Sequence, residues 1–511
     1  MSIHPTKKNL TKSTLFSLGW QYISVFTQAL LQIVVLAILA RLLSPEDFGL
    51  LGIAMIFVGF AALFSQLGVG PAIIQRSEIT NTHIRVGFSL SLLLSVVLCL
   101  VLWAFTPLAA RFFNNERLNE ILPIISLNFI FTGFGVVAFS LLKRNLQFHK
   151  LMWVDVGSYV FGYAIIGITL AWLGYGVWAL VWATLSQSIL KSILQFISHP
   201  HPIIPSLSRP ELRDLIQFGG GFTLARVLNY GANQGDYFVV GRVLGPESLG
   251  LYTRAYQLMM LPGKYFGEVL NTVMFPVMAK IQDERPKLLK TYLTGIAMVS
   301  LVCIPIGILM VTVAPEIVEV ILGSKWLDVV IPFQILAIGV LPRVSYKIDD
   351  TLAKALGQMY RRSMRDAIYV VAVVIGSLLG IHWGLPGVAF GVLCAVIVNY
   401  ILATSMSLNL LSCSWSEFFR AQAPGIYLAI VVTIVAVSTR FLLIANGFSP
   451  LIILLITLVV TGVSIFGLFI SRPQTFGAYG IEVFRRIFSL LPDQLTHRSF
   501  PQWLEARMNH V

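Results

Sequence analysis

Ala40–Leu51 reads ARLLSPEDFGLL, and Gly241–Tyr252 reads GRVLGPESLGLY. At a constant offset of 201 residues, Arg41/Arg242, Leu43/Leu244, Pro45/Pro246, Glu46/Glu247, Gly49/Gly250 and Leu50/Leu251 are identical. At the same offset Gly19 falls on Gly220, and Gln28 and Gln32 fall on Asn229 and Asn233. A second block, offset by 211, pairs Lys143/Lys354, Gln147/Gln358, Asp155/Asp366, Gly176/Gly387 and Val177/Val388. Two blocks in the same order indicate an internal duplication.

The duplicated unit is a set of membrane spans. Of 511 residues 57% are hydrophobic and 12% charged, against about 25% charged in soluble domains. That composition excludes an ordinary soluble enzyme and a disordered chain. A spanning helix needs about 20 mostly apolar residues. Fourteen stretches qualify: 14–40, 48–70, 86–106, 119–141, 155–174, 176–197, 214–240, 249–274, 291–314, 329–352, 366–383, 387–411, 424–445 and 449–470. The apolar period is helical, with no alternation of a barrel strand. Gly174-Tyr175-Gly176 and Gly384-Leu385-Pro386 read as tight turns between neighbouring spans. Each repeat holds an even number of spans, so both copies run in the same direction. Such parallel repeats are related by an axis along the membrane normal, and transporters place substrate between them.

The expected fold is an all-α polytopic membrane protein of 14 transmembrane helices: two parallel six-helix repeats and two extra helices. The expected domains are a six-helix lobe at 1–200, a second at 201–412, helices thirteen and fourteen at 413–471, and a tail at 472–511. His199-Pro200-His201-Pro202 reads as a stiff linker between the lobes. In the tail, Ile481–Leu491 sets Glu482, Arg485 and Arg486 beside an apolar stripe, suiting a helix on the inner membrane surface.

The net charge of +13 has a topological reading. With the N-terminus, the loops after even-numbered spans and the C-terminus on one side, that side holds 25 Lys/Arg and 11 acids. The opposite loops hold 6 Lys/Arg and 8 acids. This positive-inside bias places both termini in the cytoplasm, and nucleic-acid binding is not needed to explain the charge.

Nine ionisable residues remain deep in spans, all in spans seven, eight and ten: Arg226, Asp236, Arg254, Lys264, Glu268, Arg343, Lys347, Asp349 and Asp350. Each costs about 2.5–3.5 kcal/mol on insertion scales, so it faces a partner or a wet cavity. Helical spacing puts Arg226, Asn229, Tyr230, Asn233, Asp236 and Tyr237 on one stripe of span seven. Span one carries a matching stripe through Gln28 and Gln32. Arg254, Gln257, Lys264 and Glu268 share a face of span eight, as do Arg343, Lys347 and Asp350 on span ten. Plainer readings stand beside these. Lys264/Glu268 and Lys347/Asp350 also read as self-neutralising pairs, Arg254 as reaching the outer interface, Asp236 as bonding across the lobes, and the Gln/Asn stripes as helix-packing contacts.

No catalytic constellation emerges. The eight His show no HExxH pair, no P-loop lysine motif is present, and Cys99, Cys303, Cys394 and Cys413 form no metal or disulfide pattern. No cofactor or metal is expected.

At the repeat turns and their flanks the chain resembles the polysaccharide flippases of the multidrug/oligosaccharidyl-lipid/polysaccharide exporter superfamily, nearest the colanic-acid and teichuronic-acid branch. The residues carrying this are RLLSPEDFGLL, FSQLGVGPAIIQ (Phe64–Gln75), NQGDYFVVGRVLGPESLGLYTRAYQLMMLP (Asn233–Pro262) and VMFPVMA (Val273–Ala279). The resemblance implies two lobes in a V, as in the superfamily's multidrug exporters and lipid II flippases, working by alternating access. It also implies an undecaprenyl-pyrophosphate-linked oligosaccharide as substrate in the bacterial inner membrane. On that basis Arg226, Arg254, Lys264 and Arg343 are expected to attract the pyrophosphate. Gln28, Gln32, Asn229 and Asn233 are expected to bond sugar hydroxyls, and Asp236 to serve as the coupling or gating acid for a proton or sodium ion. Glycan polymerases or glycosyltransferases are expected partners. Two alternatives stand: a cation-exporting multidrug transporter, which would favour acidic cavity residues, and a membrane glycan polymerase or ligase, which would need a large outer loop.

Overall fold

The computed structural model describes residues 27–65, 69–76, 78–206, 208, 210–211 and 223–477. Those residues are helical nearly throughout, as a bilayer demands: without water, backbone N–H and C=O groups must bond within their own segment. The chain begins with α1 (Thr27–Leu42), α2 (Pro45–Ser65), α3 (Val69–Gln75), α4 (Asn81–Phe113), α5 (Leu118–Ser126) and α6 (Asn128–Arg144). Then come α7 (Phe148–Gly157) and α8 (Ile165–Trp172), joined by a wide π-helical stretch at Ser158–Ala164, and α9 (Val177–Ser198). The second half holds α10 (Thr223–Val243), α11 (Gly245–Lys280), α12 (Arg285–Thr312), α13 (Ala314–Ile321), α14 (Val330–Ile338) and α15 (Val340–Ala355). It ends with α16 (Met359–Gly380), α17 (Gly384–Leu411), α18 (Trp415–Ala445) and α19 (Pro450–Ser471).

Each of the read spans overlaps a helix or a pair of helices in line. Among the described residues ten stretches are long and apolar enough to cross a bilayer, one of them, Met359–Leu411, holding both α16 and α17. The other spans coincide with α1, α10 and α11, and the last two bear the polar stripe and the basic residues. Large apolar side chains such as Phe441, Val459, Val463 and Phe466 are exposed on α18 and α19, which suits lipid as the surrounding solvent.

Local chemistry sets the breaks. Thr80 and Ser414 cap α4 and α18, each accepting the N–H three residues on (3.3 Å from His83, 3.2 Å from Glu417). The fourth span divides after Ser126, where Pro123 sits inside α5. Its carbonyl accepts from Trp103 Nε1 (2.9 Å) and Ser126 Oγ (2.7 Å), so side chains satisfy what the bend exposes. The tenth span divides likewise at Gly339, between α14 and α15.

By internal contacts the described chain forms two compact units: residues up to Leu251 with Ile321–Lys325, and Tyr252–Val320 with Trp326 onward. In the first, α6 packs on α4 and α9, and α2 packs on α10. Val69, Ile73, Phe88, Leu90, Val137 and Leu141 make one buried apolar cluster there. In the second, α12 packs on α18, α16 on α17, and α15 on both α12 and α17.

The duplicated turns meet inside the first unit. A Cβ added at Gly49 would lie 1.7 Å from the Pro246 carbonyl oxygen, and one at Gly250 would lie 1.8 Å from that of Pro45. Positions matched in sequence therefore contact each other reciprocally, each glycine's bare Cα against the other copy's proline. No side chain larger than hydrogen fits at either position.

Candidate functional site

The polar stripe of α10 divides into an exposed part and a buried part. Asn229 and Asn233 are exposed. The Asn233 amide donates to the Asn229 carbonyl (2.6 Å) and to its Oδ1 (3.1 Å), one helical turn back. Asp236 is 2% exposed, and its carboxylate accepts the Tyr237 N–H at 2.9 Å. Tyr230, on the same stripe, donates its hydroxyl to the Ile56 carbonyl (2.7 Å), fastening α10 to α2. Gln28 and Gln32 on α1 are half-buried. The side chain of Arg226, on α10, lies outside the described residues.

In the second unit Arg343 is buried at the start of α15. Its Nη1 donates to the Tyr256 hydroxyl at 2.7 Å, and its guanidinium lies 4.8 Å from that ring's centre. The aromatic face and the hydroxyl together hold the cation inside a span, where an isolated charge would be costly. Arg254 is half-buried on α11 and donates from Nη1 to Gln257 Oε1 (2.5 Å), one turn along the shared face. The side chains of Lys264 and Glu268 lie outside the described residues.

The two carboxylates of α15 have different surroundings. Asp350 is bound by Lys354 (2.8 Å), Arg365 (3.3 Å) and Arg362, so its partners come largely from α16. Arg365, buried, also reaches Asp366 at 2.8 Å. Asp349 is fully buried and accepts from the Tyr292 hydroxyl of α12 (2.8 Å) and Thr404 Oγ1 of α17 (3.2 Å). One carboxylate thus ties three helices together. Asp349 and Asp350 serve packing, whereas Arg343 is held by an aromatic side chain.

Tyr256, Tyr292 and Arg365 were not singled out from the sequence. Arg365 precedes the apolar run of its span and so reads as loop, although α16 begins at Met359. Glu316 likewise reads as an outer-loop charge and Arg440 lies towards the outer end of span thirteen, yet they pair at 2.8 Å with Glu316 almost fully buried. A tyrosine in a span gives no signal of a cation partner until the helices are packed. Among the described residues no three His, Cys, Asp or Glu side chains gather as a metal site.

A family profile described as polysaccharide biosynthesis protein matches residues 38–331, more than half the chain. The chain belongs to the polysaccharide biosynthesis protein family. The match starts just ahead of the first repeat turn and includes the second, so the matched range covers both halves of the Gly/Pro contact. The lipopolysaccharide biosynthesis protein WzxC of Escherichia coli is 24% identical over 84% of this chain and 88% of its own length. The teichuronic acid biosynthesis protein TuaB of Bacillus subtilis is 26% identical over 84% of this chain and 89% of its own. Among solved structures, the lipid II flippase MurJ in an inward closed conformation superposes with a TM-score of 0.68 at 15% identity, covering 91% of this chain and 99% of that one. An inward-facing multidrug transporter of the MOP superfamily superposes with a TM-score of 0.61 at 19% identity, over 75% and 95%. This member of the polysaccharide biosynthesis family therefore shares, over its described residues, the helical multi-pass fold of these two membrane proteins.

Proposed function

We propose that this protein moves undecaprenyl-pyrophosphate-linked oligosaccharide repeat units from the inner to the outer leaflet of the bacterial cytoplasmic membrane, both termini being cytoplasmic. The observation that carries this reading is the family match over residues 38–331. The names of the relatives support it, since lipopolysaccharide, teichuronic acid and succinoglycan all occur among them. So does the fold, whose neighbours include a lipid II flippase.

In this reading residues 1–200 and 201–412 are the two repeats, 413–471 the extra helices and 472–511 a cytoplasmic tail. Arg226, Arg254, Lys264 and Arg343 attract the pyrophosphate. Gln28, Gln32, Asn229 and Asn233 bond sugar hydroxyls, and Asp236 is the acid of a proton or sodium coupling. Tyr256 joins the set as the residue that positions the Arg343 guanidinium.

A charge-assisted hydrogen bond is worth about 1.5–3 kcal/mol, so losing one on the pyrophosphate should slow transport about tenfold or more. Arg343→Ala and Arg226→Ala are expected to cut polymer export by that much with normal membrane insertion. Tyr256→Phe, which keeps the ring and removes the hydroxyl, should have a smaller effect than Arg343→Ala. Full export from both arginine variants contradicts the cation assignment.

A further inference from the structure

A cavity of about 340 Å³ lies between α6 and α9, and none of the residues assigned above lines it. Its wall includes Thr132, Gln187, Ser188, Lys191 and Gln195, with Phe139 as its aromatic face. Polar lining of this density is unexpected on two membrane-spanning helices. Lys191 sits seven residues before the end of α9, about 10 Å along the axis at 1.5 Å per residue. Its ammonium pairs with Asp155 of α7 at 2.7 Å, and both side chains keep part of their surface open, 38% and 26%.

The lining has a defined donor and acceptor pattern. Thr132 gives its hydroxyl hydrogen to the Asn128 carbonyl (2.8 Å), and Ser188 gives its own to Thr184 (3.1 Å). Their oxygens are left with lone pairs and act as acceptors. Gln187 and Gln195 each offer an amide with donors and an acceptor. The Lys191 ammonium offers N–H donors to the cavity and is held in place by Asp155 behind it. Phe139 is flat and apolar, and Lys143 caps its ring at 4.4 Å.

Hydroxyl acceptors, amides, an ammonium and one aromatic face together suit a sugar ring. Its hydroxyls both donate and accept, and its C–H face is apolar. We propose that this cavity is a binding site for a saccharide, occupied by a sugar of the translocated glycan. The proposal rests on the functional reading above and adds a contact site within the first repeat. The volume falls at the small end of the roughly 300–1,000 Å³ range of small-molecule sites, room for roughly one or two sugar rings.

The duplication sharpens the assignment. Asp155 matches Asp366 in the second repeat, where the acid is bound by Arg365 of its own helix at 2.8 Å. The position matched to Lys191 is Leu402. A reach across helices to a lysine is thus particular to the first repeat.

The test uses the full-length protein in nanodiscs, with binding read by native mass spectrometry. The probes are a polyprenyl-phosphate-linked disaccharide, the same disaccharide free, and sugar-free polyprenyl phosphate. Gln187→Leu leaves the ion pair intact, and Lys191→Met removes it; unfolding temperatures monitor the fold of each. Both variants should weaken binding of the lipid-linked disaccharide about tenfold or more, leaving polyprenyl phosphate unchanged. Weakened binding of the free disaccharide as well assigns recognition to the sugar alone; an effect confined to the lipid-linked probe assigns it to the membrane-anchored glycan. Wild-type affinity in a Gln187→Leu protein of unchanged unfolding temperature overturns the site, as does equal weakening of polyprenyl phosphate. A wild-type protein that binds neither disaccharide speaks against the functional reading itself.

Discussion

Single residues in this protein have two kinds of surroundings. Arg343 on Tyr256 is held inside a span by a ring and a hydroxyl. Asp349 is held by the hydroxyls of Tyr292 and Thr404, and its removal should loosen three helices. Asp349→Ala is expected to cost about 1–3 kcal/mol through the orphaned hydroxyls, read as a lowered unfolding temperature in detergent. Tyr292→Phe should cost less, because Thr404 still serves the carboxylate. His201, in the segment after α9, is nearly buried between Phe88 and Phe196, with ring centres 5.5 and 5.4 Å away. Burial holds its pKa below the ordinary 6.5, so the folded state favours the neutral ring. The unfolded chain then binds more protons below that value, and stability present near neutral pH is lost as pH falls. The unfolding temperature should drop between about pH 7 and about pH 5, and His201→Phe should flatten that part of the profile.

At the scale of helices and turns, the repeat motif gains a physical meaning. Gly49 and Gly250 match in sequence because each must let the other copy's proline carbonyl pass. Gly49→Ala and Gly250→Ala should each lower the unfolding temperature and the amount inserted, whereas Glu46→Ala, on an exposed side chain, should do neither; membrane-fraction blotting checks this. The identity was legible in the sequence, but the contact was not, since matched positions need not touch. Spans were legible for the reason bilayers make them so: only long apolar helices satisfy the backbone there. The breaks at Ser126 and Gly339 were not, because a bend inside a span leaves hydropathy unchanged. Lys191 lies near the end of its span, where a lysine carries no signal of its own, yet it pairs with Asp155 and lines a cavity. Spacing along one helix found the stripe of Asn229 and Asn233. It did not find Tyr256 for Arg343, or Tyr292 for Asp349, because those pairings join different helices.

For the whole molecule, family and fold bear on different parts of the account. The family match places the chain among polysaccharide biosynthesis proteins. The fold is shared with both a lipid II flippase and a multidrug transporter, so fold alone does not choose the cargo. In the proposed reading, the arginines assigned to the pyrophosphate favour an anionic cargo over a cationic drug. The measurement that tests this most directly is translocation in proteoliposomes containing the purified full-length protein. An undecaprenyl-pyrophosphate-linked oligosaccharide is placed in one leaflet, and its arrival in the other is read by accessibility to a glycan-cleaving enzyme. The account predicts protein-dependent arrival of the glycan lipid, reduced about tenfold or more by Arg343→Ala, and no transport of a lipophilic cation such as ethidium. Transport of ethidium with no movement of the glycan lipid would contradict it.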